Sequence, residues 1–164
     1  MKKLLSIAAV AALFATAAVA DNTITVNGEV LAGAQVSFGA APTGTLTGGT
    51  FTFEDATIGF DDLKLNQDNV DNQAVYVKTN SNSGVSISLG STPDLADGNG
   101  HTVPTTYALG GTTFVAGTAQ SLTDGTNDGS TALADLPFTT TATPAADQVS
   151  GSYTASIAVT IAQN

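Results

Sequence analysis

Two stretches of this sequence, one near each end of the chain, alternate apolar or small residues with polar residues at a period of two. Residues 23–30 place on one face Ile24, Val26, Gly28 and Val30. Residues 152–162 place on one face Tyr153, Ala155, Ile157, Val159 and Ile161. Successive side chains of an extended strand point to opposite sides, so this period predicts β-strands that each bury one face.

Shorter segments with the same alternation fill the chain between these two. They cover residues 34–38, 51–53, 74–79, 84–89, 103–109, 112–115 and 136–141. Residues 80–84 and the pair Gly110-Gly111 have turn chemistry, which predicts two hairpins, and a flexible loop is predicted over 121–130. No window of ten or more residues has a helical period. The sequence therefore predicts an all-β fold with seven or more short strands, a β-sandwich.

The first 20 residues have the pattern of a secretory signal peptide. Lys2 and Lys3 precede an apolar run, and small residues ending Ala18-Val19-Ala20 follow it. Cleavage there predicts a mature chain that begins at Asp21 and continues to Asn164. That length suits one domain, and no later apolar stretch reaches the roughly 18 residues that a membrane span needs.

The charge balance is strongly acidic. The full chain has 4 lysines and 14 acidic residues. Two of the lysines fall in the signal peptide, so the mature chain has a formal charge of −12 (2 minus 14), which argues against binding to nucleic acid or to anionic membranes. There is no cysteine and one histidine, and arginine is absent. Few groups remain for acid–base or nucleophilic chemistry, so we expect no enzyme, no catalytic residue and no cofactor.

Three polar groupings resemble sites but are better interpreted as surface. Residues 124–129 with Asp135 partly match a calcium loop, but lack its final glutamate and flanking helices, so we expect a solvated turn and no metal site. Asp61 and Asp62 are adjacent, and neighbours on a strand point apart, which argues against a paired-carboxylate hydrolase. His101 is expected to be exposed in a polar loop.

The position of the two terminal strands suggests an incomplete sandwich. The mature chain starts directly with one alternating segment and ends with the other. A sandwich that lacked its own closing strand would expose an apolar groove, which a strand from another chain can fill. The N-terminal segment has the period and the side chains for that task.

The chain resembles the major subunits of chaperone–usher fimbriae, of the colonisation-factor or alpha class. The resemblance covers most of the mature chain, and its segments keep the family's order. They are Thr23-Ile24-Thr25-Val26, Leu89-Gly90-Ser91-Thr92-Pro93-Asp94-Leu95, Val103-Pro104 before Gly110-Gly111, and residues 151–161. The resemblance implies an incomplete immunoglobulin-like β-sandwich completed by a donor strand from a neighbouring subunit.

The resemblance also implies domains, site residues and partners. Residues 21–32 would be the donor-strand extension and 33–164 the pilin domain. The donor residues would be Ile24, Val26, Gly28 and Val30, and the strand beside the acceptor groove would carry Ile157, Val159 and Ile161. Expected partners are identical subunits in a homopolymer, a periplasmic chaperone, an outer-membrane usher and a tip adhesin, with export through the periplasm to an extracellular adhesive fimbria.

A second interpretation of the residues stays open at this point. A secreted β-sandwich that binds carbohydrate, or binds a ligand through calcium, would have the same composition. The two differ in whether residues 21–30 pack within their own domain.

Overall fold

The computed structural model describes residues 27–164, and this part of the chain is built from short strands without a helix. The all-β prediction is confirmed. In chain order the strands are β1 (Ala34–Phe38), β2 (Phe51–Phe53), β3 (Asn69–Gln73), β4 (Val75–Thr79), β5 (Val85–Leu89), β6 (Leu95–Ala96), β7 (Thr102–Val103), β8 (Thr105–Leu109), β9 (Thr112–Thr113), β10 (Gln120–Thr123), β11 (Asn127–Asp128), β12 (Phe138–Ala142) and β13 (Val159–Gln163).

The strands form four sheets. Two have four strands, in the orders β11-β4-β1-β2 and β3-β12-β8-β9, and one has three, in the order β10-β5-β13. The fourth is the small ribbon β6-β7. Neighbouring strands are antiparallel, with the exception of the parallel pair β1–β2. Several mostly antiparallel sheets around one apolar core are consistent with the predicted β-sandwich.

The core consists of the inward-facing residues of these sheets. Val36, Val77, Ile87, Leu109 and Phe138 are buried and belong to a single cluster. Their positions follow the period of two along each strand, as in β4, where alternate residues are buried. The ring of Phe38 stacks on that of Phe138 with 4.5 Å between centroids, which places aromatic packing at the centre of the cluster.

One of the two predicted hairpins is confirmed. Strands β8 and β9 pair through Gly110 and Gly111, whose φ angles are +54° and +81°. Two consecutive residues with positive φ are the requirement of a two-residue turn that matches the twist of a hairpin, and glycine meets it without steric cost.

The hairpin predicted between residues 74–79 and 84–89 is wrong. Both strands exist, as β4 and β5, but they lie in different sheets. β4 is paired on its two edges by β1 and β11, and β5 by β10 and β13. The turn at 80–84 therefore carries the chain from one sheet to another. Turn residues indicate a change of direction, and the partners that occupy the strand edges decide which ladder forms.

Other boundaries also differ from the predictions. The segment predicted as a flexible loop, 121–130, contributes to β10 and β11. The last strand begins at Val159 and not near Ser152, because only the part from Val159 to Gln163 finds a ladder partner, in β5. The polar strand β3 was not predicted. It is held by a complete ladder with β12, from Asn69 opposite Ala142 to Gln73 opposite Phe138.

Candidate functional site

An open groove of about 1250 Å³ is the main concave feature of the described residues. Apolar side chains from several strands line it, namely Phe38, Phe53, Leu89, Tyr107 and Phe138. Phe38 and Phe53 meet edge to face at 4.9 Å, and Phe138 extends the aromatic surface through its stacking on Phe38. The groove is therefore an opening into the hydrophobic core, a place where the sandwich is not closed.

Two long irregular segments form the walls of the groove. One wall is residues 55–63, continued by Leu65, and the other is 148–158, continued by Val159. Each lies beside a sheet and neither forms a strand, although Ala96 and Thr154 make an isolated antiparallel bridge in the second wall. Walls of this kind leave much of their main chain without ladder partners, which is the property of a site that can accept an extended peptide.

The second wall is fixed to the sheets at two points. Main-chain bonds run in both directions between Ala96 and Thr154, at 3.0 and 2.9 Å. Closer to β13, the Gly90 amide donates to the Ala158 carbonyl at 2.8 Å. This wall thus continues the direction of β13 with only part of the hydrogen bonding of a strand.

Polar side chains line the groove together with the apolar ones, and most of them lie on its two walls. The Tyr107 hydroxyl donates to the Pro93 carbonyl at 2.8 Å. Burial raises the pKa of Tyr107, and the nearby Asp94 carboxylate raises it further, so this phenol stays protonated at neutral pH. Among the described residues no partner lies within hydrogen-bonding distance of the buried Thr140 hydroxyl, which belongs to a groove-lining residue. The groove has the chemistry of a binding surface.

The three residues predicted for the strand beside the groove lie in two different environments. Ile157 and Val159 are half-buried and line the groove. Ile161 lies opposite Ile87 in the β5–β13 ladder, is only 8% exposed and belongs to the core cluster. The side chains of β13 therefore change role along the strand, from the groove at one end to the core at the other.

The predicted donor residues are only partly within the described chain. Ile24 and Val26, together with the signal peptide and its cleavage site, lie outside the described residues. Gly28 and Val30 lie within them, in a segment that forms no strand. Val30 is 87% exposed, and nothing lies within 4 Å of the position that a Cβ on Gly28 would take.

Hydrogen bonds hold the end of the predicted extension, at Leu31, and the next residues, at Gly33, to the domain. The Asn80 side chain accepts a hydrogen bond from the Gly33 amide at 2.7 Å and donates to the Leu31 carbonyl at 3.1 Å. The Thr79 hydroxyl donates to the Gly33 carbonyl at 2.7 Å. A Cβ at Gly33 would collide with the Thr47 main-chain oxygen, so this close approach requires glycine. This clamp therefore holds the main chain of Leu31 and Gly33, directly after the exposed Val30.

The other polar groupings act as turns and surface. Asn127 and Asp128 accept hydrogen bonds from the Gly129 and Ser130 amides, both at 2.9 Å, as turn residues do. The backbone and side-chain hydrogen bonds from Ser130 lower the pKa of Asp128. His101 is exposed, as predicted. Within residues 27–164, no three histidine or carboxylate side chains converge as a metal site would require, and no helix is long and apolar enough to cross a membrane.

Of the residues that line the groove, the sequence analysis placed only Ile157 and Val159 beside it. The wall at residues 55–63 matches none of the predicted strands. The alternation of Ile58 and Phe60 was a signal for a strand-like segment there. The position of this segment beside an opening depends on contacts between residues that are distant in sequence. A local pattern carries no information about such contacts.

The fold and the groove define a class of protein: an all-β protein, consistent with a β-sandwich, with an opening into its core. The family model of the CS1 type fimbrial major subunit matches residues 20–162. The chain therefore belongs to that family, and it is a structural pilin subunit of a fimbria on the cell surface, assembled from copies of itself. No curated protein sequence matches the chain.

Proposed function

We propose that this pilin polymerises by donor-strand exchange, with residues 21–32 of one subunit filling the groove of its neighbour. The groove at the edge of β13, which opens onto apolar core residues, is the observation that carries the proposal. β13 is the last strand of its sheet, so the edge that faces away from β5 presents main-chain donors and acceptors to an added strand. The exposure of Val30, an apolar residue on the predicted donor face, supports an extension that buries its side chains in another molecule.

The energetics favour a stable joint. Full burial of an aliphatic side chain is worth about 1.5–3 kcal/mol, and the donor face offers Ile24, Val26 and Val30. With a ladder of main-chain bonds, the joint gains on the order of 5–10 kcal/mol before the cost of ordering the extension. Gly28 lets the backbone approach where the groove is shallow.

Export and assembly partners belong to the same proposal. Cleavage after Ala20 releases a chain that begins at Asp21 into the periplasm, where a chaperone fills the groove until an outer-membrane usher passes the subunit to the growing fibre. A tip adhesin begins the fibre, which takes part in adhesion. N-terminal sequencing of surface filaments tests the first step, and a first residue other than Asp21 contradicts it.

The experiment that tests the exchange compares two aspartate substitutions on neighbouring residues. Val26→Asp places an unpaired carboxylate in the groove, which costs several kcal/mol, so we expect chaperone-bound monomer without filaments. Thr25→Asp, on the opposite face of the strand, is the matched control and should give both chaperone-bound monomer and filaments. Filament yield is measured by electron microscopy of cells that express each variant. Normal yield from Val26→Asp, or equal loss from both, rules out donor-strand exchange through this face.

A further inference from the structure

We propose that residues 55–63 form a cover over the groove, held there by apolar contacts alone, which an incoming strand displaces. The inference rests on the proposed donor-strand function and concerns what shields the groove in the free subunit, before any strand enters it. We name this segment the groove cover. This wall of the groove differs from the wall at residues 148–158 in one respect: it moves away from the incoming strand, whereas the wall at 148–158 stays in place beside that strand.

The groove cover is attached by its apolar side chains. Ile58 is half-buried and packs against the core cluster. Phe60 and Leu63 are also half-buried and line the groove, while the residues between and before them are exposed. The segment thus lays three apolar side chains at the opening into the core, which reduces the apolar surface that water meets in the free subunit.

Hydrogen bonds secure the two ends of the groove cover but not its middle. Just before it, the Glu54 amide donates to the Val36 carbonyl at 2.8 Å. Just after it, the Lys64 amide donates to the Asn69 side chain at 2.7 Å. Within residues 27–164, no hydrogen bond joins any part of residues 55–63 to another residue. Such a segment can leave the groove without breaking a hydrogen bond to any of residues 27–164, and its fixed ends keep it close by.

The opposite side of the groove behaves differently. Residues 148–158 are fastened by the bonds between Ala96 and Thr154 and by the bond from Gly90 to Ala158. They also run directly into β13, which pairs with β5 along its full length. The incoming strand therefore has a fixed side to pair with, next to β13, and a loosely held side that can give way.

The first test measures how fast the subunit captures a synthetic peptide of residues 21–32. Ile58→Ser removes the main apolar contact of the groove cover. The free subunit is destabilised by this loss, whereas the peptide-filled subunit is not, because its cover has already been displaced. We expect capture to become about tenfold faster, the factor that corresponds to losing the burial of one half-buried isoleucine. Thr57→Ser, at the exposed neighbouring residue, is the matched control and should capture at the wild-type rate. Unchanged or slower capture by Ile58→Ser overturns the proposal. Capture would slow if Ile58 contacted the bound peptide, because its replacement would then weaken peptide binding.

The second test needs no substitution and so decides the matter even if Ile58→Ser does not fold. Hydrogen–deuterium exchange of the wild-type subunit is followed with and without the peptide. A displaced cover leaves the amides of 55–63 exchanging as fast as before, while amides of 155–161 gain protection from the added strand. Protection that appears in 55–63 shows pairing with the peptide and overturns the cover. Absence of peptide binding, or of protection at 155–161, overturns the donor-strand proposal itself and the cover with it.

Discussion

The Asp97 carboxylate organises the turn between β6 and β7 through hydrogen bonds with Asn99 and His101. One oxygen accepts from the Asn99 and His101 amides at 2.8 and 3.1 Å, and the other lies 2.7 Å from the His101 Nδ1. The pKa of Asp97 is lowered from 3.8 to about 2, mainly by the side-chain bond from His101 and in smaller part by the two amide bonds. Every partner stabilises the ionised form, so the turn depends on a charged carboxylate.

The Asp97 turn should lose stability in acid. Because the pKa of Asp97 is lower in the folded chain than in the unfolded chain, the stabilisation is complete above pH 4 and disappears as the pH falls from 3.8 towards about 2. An NMR titration of the carboxyl carbon should give a midpoint of about 2. His101→Ala should raise that midpoint, and an unchanged midpoint in this variant would show that the histidine is not the cause.

At the scale of the element, the β8–β9 hairpin shows how a short turn fixes a strand pair. Gly110 and Gly111 both have positive φ, and the pairing of Ala108 with Thr113 and of Leu109 with Thr112 follows from the two-residue loop. A Cβ on Gly110 would also lie 2.8 Å from the Asp135 carbonyl, whereas one on Gly111 would meet nothing within 4 Å. The two glycines are thus required for different reasons.

Alanine at each of the two glycines separates backbone strain from collision. Gly111→Ala adds only the strain of a left-handed residue and should cost about 1–2 kcal/mol of unfolding free energy. Gly110→Ala adds the collision with the Asp135 carbonyl and with the Leu136 side chain, so it should cost clearly more. Urea unfolding of the two variants measures the difference. An equal cost would mean that residues 135–136 move aside freely.

At the scale of the whole molecule, a chain without cysteine depends on burial and hydrogen bonding within a core of modest side chains. Valine and leucine fill most of it, with Phe138 as its largest fully buried side chain. At the groove, part of this core is less well covered than it would be in a closed sandwich. The subunit is therefore expected to gain stability when a strand fills that opening.

The stability of the whole molecule should not depend on a bound cation. In the loop that partly matches a calcium site, the Asp128 Oδ1 already accepts from the Ser130 amide and hydroxyl, at 2.9 and 2.7 Å. We expect a chelator to leave the melting temperature of the subunit unchanged, and added calcium to do the same. A fall of several degrees on chelation would instead support a calcium-dependent binding module.

The sequence by itself determined the class of the fold and most places where the chain is extended. The period of two depends on whether neighbouring side chains point to opposite faces, and turn chemistry depends on the φ angles of one or two residues, so both are local properties. For this reason β1, β4, β5, β8 and β12 lie close to their predicted positions, and Gly110-Gly111 forms the predicted hairpin. The resemblance that identified a fimbrial subunit also rested on local segments in the right order.

Only the tertiary structure decided which strands pair and where the core stays open. β4 and β5 are consecutive and joined by a short turn, yet they belong to different sheets because β1, β11, β10 and β13 occupy their edges. Residues 152–158 alternate as regularly as 159–163, but only the second group finds a ladder partner, and the first becomes a side of the groove. A strand needs main-chain partners as well as a suitable pattern, and those partners come from distant parts of the chain, so the packed fold alone determines which edges are filled.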